Sequence, residues 1–131
     1  MTTSVLFLSK FKENMIYFLD EMVESFNFPG FIIFRVMINS MPIETIMVEF
    51  IKNVIPGKQE VQNRSPEFFK TLSTVCRDDI KDTILCVYKV ILSDTVDKDT
   101  KEVIWKWFDQ FILLAERYVS TREKELLNLK N

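Results

Sequence analysis

Asp78-Asp79-Ile80-Lys81-Asp82 spells D-D-x-x-D, a spacing that sets Asp78 or Asp79 on the same side of a helix as Asp82. Carboxylates so placed are the hard oxygen ligands that suit magnesium, as in isoprenoid diphosphate chemistry. That chemistry also needs a larger helical cavity and a second acidic cluster, and here Arg77 and Lys81 neutralise part of the charge. Acidic residues that open a helix also favour its dipole, and this is the reading the motif supports. Asp94, Asp97 and Asp99 suggest a calcium loop until the register is checked. An EF-hand loop needs Gly at its sixth position and a bidentate Glu at its twelfth. Counting from Asp94 gives Asp99 and Trp105, and counting from Asp97 gives Glu102 and Phe108, so the match fails.

Nucleophilic triads are excluded because the chain has no histidine. Cys76 and Cys86 sit among apolar neighbours on helices, where a thiol fills space; their separation along helix exceeds disulfide reach, so both read as reduced thiols. The glycines fall in Pro29-Gly30 and Pro56-Gly57, single turns that cannot cradle a phosphate. Trp105-Lys106-Trp107 sets aromatics beside a base, but on a helix Lys106 points outward and both Trp fall in the apolar arc, which is core packing and not a base-stacking platform. The inventory predicts no enzyme, no cofactor and no metal site.

The elements that would position such groups are helices. All four prolines and both glycines lie between Pro29 and Pro66, so residues 67–131 run without either. Leu8, Phe11, Met15, Phe18, Leu19, Met22, Val23 and Phe26 fall in one arc of about 160° on a first helix, with Lys12 at its edge. Residues 31–41 are nearly all apolar, so periodicity does not separate buried helix from buried strand. Helix is chosen because no second strand-like run exists to pair with it. Ile43, Ile46, Met47, Phe50, Ile51 and Val54 form the next stripe. Residues 56–65 read as the one long loop, and Ser65-Pro66 as a helix start with Ser as cap. Asn63-Arg64-Ser65 matches a glycosylation sequon, unused in an intracellular setting.

Asp99, with Glu102 three residues on, reads as a capping box opening the last helix. From Val103 to Val119 apolar residues fill an arc of roughly 200°, which needs cover from two directions. The prediction is an all-α chain: one compact bundle of about five or six helices over residues 1–131, near 4–27, 31–40, 42–54, 66–76, 78–92 and 99–125. The C-terminal helix is central and packs on the first.

With 131 residues and a 47% hydrophobic fraction the core is sufficient, and the net charge of −2 gives no general attraction to nucleic acid or anionic membrane. No run is long enough to span a bilayer, and the start Met-Thr-Thr-Ser lacks a basic leader, so an intracellular setting is expected.

The segment Asp99-Thr100-Lys101-Glu102-Val103-Ile104-Trp105-Lys106-Trp107-Phe108, followed by Phe111 to Val119, resembles a stretch of small uncharacterised helical proteins of nucleocytoplasmic large DNA viruses. The resemblance implies a viral origin and a place in host cytoplasm, virus factory or virion, and no mechanism. The leading expectation is a non-catalytic protein–protein interaction or structural protein, a virion component or an adaptor. Its partner is a second protein or a copy of itself. Tyr17, Leu113, Leu126, Leu127 and Leu129, apolar residues on polar faces or in the charged tail, are the candidate partner contacts. Alternatives are a host-modulating helical groove binder and a transcription-associated factor acting through protein contacts.

Overall fold

A computed structural model describes residues 3–130; Met1, Thr2 and Asn131, within the expected domain span, lie outside the described residues. The helices are α1 (Thr3–Ser25), α2 (Pro29–Ser40), α3 (Ile43–Asn53), α4 (Lys58–Gln62), α5 (Glu67–Val75), α6 (Asp78–Leu92) and α7 (Lys98–Lys130), with a 3-10 turn at Ile55–Gly57. No strand occurs among the described residues. Six substantial helices and the short α4 form an all-α bundle.

α7 is central. It runs 33 residues, about 50 Å, and lies against α1, α3 and α4. Its wide apolar arc is covered from several sides, as its width requires. Phe111 meets Phe11 at 5.8 Å, Phe18 at 5.7 Å and Phe50 at 6.1 Å, so one ring joins α1, α3 and α7. Phe108 continues the chain of rings to Phe69 on α5 at 5.1 Å. Edge-to-face pairs of this kind add about 0.5–1.5 kcal/mol each beyond the burial of the rings. Residues 31–40 are helix, with Met41 extended just after its end, and the helix starts earlier, with Pro29 in its first turn.

Four local expectations are corrected. Residues 56–65 are not one long loop: the 3-10 turn and α4 occupy 55–62, because fully buried Val61 pins this polar stretch to the core. The last helix is capped by Asp97 and not Asp99: Thr100 N–H donates to Asp97 Oδ1 at 2.7 Å. Glu102 closes no capping box and accepts instead from Arg64. Ser65 opens α5 with its backbone, Phe68 N–H donating to its carbonyl at 3.1 Å. The last helix also runs on past residue 125, where α7 lies beside the start of α1 and Ser4 Oγ donates to Glu125 Oε2 at 2.6 Å.

α4 ends in a Schellman turn, Ser65 N–H donating to Glu60 O at 2.9 Å and Arg64 N–H to Val61 O at 3.0 Å. The residue that turns left-handed there, usually Gly, is Arg64 at φ 54°. Its guanidinium holds Glu102 and Asp109 on α7, so the turn that ends α4 also ties it to the central helix.

Candidate interaction site

The carboxylates that might do chemistry are dispersed or spent. Asp78, Asp79 and Asp82 are exposed at the start of α6, and Asp79 accepts from Arg77 Nη2 at 2.9 Å. Among the described residues no group of three or more His, Cys, Asp or Glu side chains is placed to hold a metal ion. Asp97 caps α7, and its pKa is held below the usual carboxylate range by the Thr100 backbone N–H. Cys76 and Cys86 are free thiols, both partly buried. Burial, reinforced by Glu49, pushes Cys76 up to about 11, and burial also raises Cys86 against the opposing effect of Lys89. Neither is an activated nucleophile. Trp105 is buried against Phe69 at 5.0 Å, and Trp107 donates its indole N–H to Glu21 at 2.7 Å. Both rings are engaged within the bundle.

The candidate contact residues are exposed but do not form one patch. Tyr17 stands on the outer side of α1, its hydroxyl donating to Glu13 at 2.9 Å. Leu113 lies mid-way along α7 beside a shallow depression that it shares with Ile112, Lys58, Gln62, Arg64 and Glu116. Leu126, Leu127 and Leu129 gather at the far end of α7, the same end of the molecule as exposed Val5 and Leu6 of α1.

A larger apolar surface lies on α2. Phe31 and Ile38 face inward, while Ile32, Ile33 and Val36 are 54%, 62% and 61% exposed on the opposite side. Arg35, the one charged residue of α2, is tied to Asp20 of α1, and Lys12 Nζ donates to the Asn39 carbonyl at 3.3 Å, a base at the end of α2 where the helix dipole favours it. The outer face of α2 is left without charge. A helix this apolar offers no periodicity to say which side is inward, so the sequence pattern does not single out Ile32, Ile33 and Val36. The signal that could have found them is the length of the apolar run: a surface helix buries one face, and residues 31–38 supply apolar side chains to both.

Beside α2 the bundle is incompletely closed. α3 packs on α1 and α7, α6 packs on α5 and α2, and α3 and α6 make no substantial contact with each other. The gap between them is a cleft of about 120 Å³, floored by core residues such as Phe31 and Phe50 and walled near its mouth by Phe34, Met37 and Met41. Glu49 and Asn53 stand on the α3 side, with Arg77 and Ile80 on the α6 side. The Phe34 and Met37 wall continues around α2 onto Ile33 and Val36, so cleft and outer face form one apolar surface.

Comparison with known proteins returns no match to a family model, a curated protein or a solved structure. No helix among the described residues is long and apolar enough to cross a membrane.

Proposed function

We propose that the protein is a non-catalytic protein–protein interaction module that meets its partner through α2. The observation that carries this reading is the uncharged row of Ile32, Ile33 and Val36, continuous with an open apolar cleft. Contiguous exposed apolar surface with charge excluded from its centre is what the core of a protein interface looks like. Support also comes from the chemistry the side chains are not arranged to do: Asp97 caps a helix, Glu102 and Asp109 are paired with Arg64, and burial raises the pKa of both thiols. The proposal extends to a setting in a virus-infected cell or particle, which rests on the resemblance of residues 99–119.

The test is to tag the protein in its native cell and compare what co-purifies with wild type and with the double variant Ile33→Glu, Val36→Lys. Both substitutions are at exposed positions and are expected to change stability by no more than about 0.5 kcal/mol. Specific partners should be lost while the fold is kept. An unchanged set of partners would show that α2 is not the contact.

A second reading, a structural component that self-associates, is favoured by the leucine-rich end formed by Leu126, Leu127 and Leu129 with Val5 and Leu6. Light scattering across a concentration series checks it, and a strictly monomeric protein whose mass ignores Leu127→Glu would remove it.

A further inference from the structure

The cleft beside α2 has a size, a lining and a rim that together specify what enters it. Its volume of about 120 Å³ is a little below the roughly 150 Å³ of an engineered apolar protein cavity that stays dry and binds benzene. One branched aliphatic side chain or one phenyl ring fits such a space, and an indole exceeds it. Met15, Met37 and Met41 line it together with Cys76. Thioethers on unbranched side chains re-pack around an inserted group, which suits a socket that must open and close.

The rim carries two charged residues, Glu49 on α3 and Arg77 on α6. Arg77 is neutralised by Asp79, whereas Glu49 accepts from the neutral amide of Asn53 at 3.3 Å, so the mouth is negative overall. The apolar wall runs straight along α2 from Met37 to Ile33, a ridge of about one turn beside a groove.

We propose that this cleft is the socket for one neutral apolar side chain of a partner helix that lies along α2, with a basic residue of that helix about one turn away meeting Glu49. The inference rests on the reading of α2 as the interaction face and names the partner's chemistry. A second copy of this chain is a poor occupant. Its own α2 would bring the aliphatic residues but no available cation, because Arg35 is engaged by Asp20. The geometry is that of a helix in a groove, where one anchor supplies affinity and flanking charge sets register.

The test uses the full chain labelled at its methionine methyl groups and an alanine-based helical peptide of about 16 residues, long enough to hold helical structure. The peptide carries leucines at helical spacing and a lysine one turn from the central leucine. Saturable shifts are expected at Met15, Met37 and Met41, with Met22 and Met47, which lie outside the cleft, little changed. Replacing the central leucine by alanine should weaken binding about tenfold or more. Glu49→Gln should weaken it about two- to fivefold. Ile80→Trp, which plugs the mouth from the α6 side, should abolish the shifts while the circular dichroism spectrum is retained.

The socket is overturned if the leucine and alanine peptides bind alike, or if toluene moves the methionine methyls and the peptide does not. In either case the α2 reading survives provided Ile33→Glu, Val36→Lys still strips partners in the co-purification experiment, so the two failures are separable.

Discussion

Arg64 grips Asp109 at two points, Nη1 donating to Oδ1 at 2.9 Å and Nη2 to Oδ2 at 2.8 Å. The same guanidinium reaches Glu102 and stands 6.0 Å from the Trp105 ring, so one side chain collects two carboxylates and an aromatic face of α7. It does so from a left-handed backbone position where an L-residue costs on the order of 1–3 kcal/mol. A position suited to glycine carries arginine because the cross-helix grip offsets the strain.

Arg64→Ala is therefore expected to lower stability by about 1–2 kcal/mol, because it keeps the strain and loses the grip. Arg64→Gly loses the grip but also the strain, and should recover about 1 kcal/mol of that loss. At this chain length the difference is about 3–4 °C in melting temperature. Chemical denaturation of the two variants side by side is the check, and equal stabilities would contradict the account.

Gly30 is fixed by packing, not by its dihedral angles. A Cβ there would stand 2.5 Å from both a Phe28 ring carbon and Thr83 Oγ1, at the point where α2 crosses α6. Gly30→Ala should cost about 1–3 kcal/mol by overpacking. Adding Thr83→Ala clears one of the two obstacles, so the double variant should be less destabilised than the sum of the singles. Strict additivity in a double-mutant cycle would show that the two residues do not meet.

Acid should loosen both ends of α7. Asp97 is held below the usual carboxylate range by the Thr100 backbone N–H, and Glu125 is held low by Ser4 and then Arg122. A carboxylate whose pKa is lower folded than unfolded adds stability that is complete above the unfolded value of about 4, and that contribution disappears as pH falls through the folded value. Stability measured from neutral pH down to about pH 2 should fall across this window. The fall should be shallower in Asp97→Asn, and an unchanged acid limb in that variant would remove Asp97 from the explanation.

Cys76, pushed up to about 11 by burial and by Glu49, should resist alkylation. Near pH 8 it carries about a hundredfold less thiolate than an ordinary cysteine, so iodoacetamide should label it that much more slowly in folded than in unfolded protein. The sign for stability is the reverse of that for Asp97. The contribution is complete below the ordinary thiol pKa and is lost as pH rises through the folded value. Mass-resolved labelling at several pH values reads this directly, and rapid labelling at neutral pH would contradict it.

The long helices were legible because each repeats its apolar residues at helical spacing over three turns or more, and the width of the α7 arc is why it could be placed centrally against α1. α4 was not legible, since Val61 is the one buried side chain in five residues and a single residue has no period. Nor could spacing show that Arg64 would draw Glu102 out of a capping box, a pairing 38 residues apart. The cleft was hidden for the same reason, since Met15, Met41, Glu49 and Arg77 meet only when α1, α2, α3 and α6 are assembled. The apolar run at 31–38 became a helix only by the lack of a strand to pair with, and it concealed its exposed side, because hydropathy does not distinguish a residue buried in its own fold from one awaiting cover.

The uncharged outer face of α2 sets how the protein should respond to salt. Contacts made by the mixed charges of α7 weaken as ionic strength rises, since counter-ions screen them. A contact made by Ile32, Ile33 and Val36 has nothing to screen, and sulfate, excluded from apolar surface, should strengthen it. Chloride and sulfate compared at equal ionic strength thus give this surface a signature in solution, readable before any partner has a name.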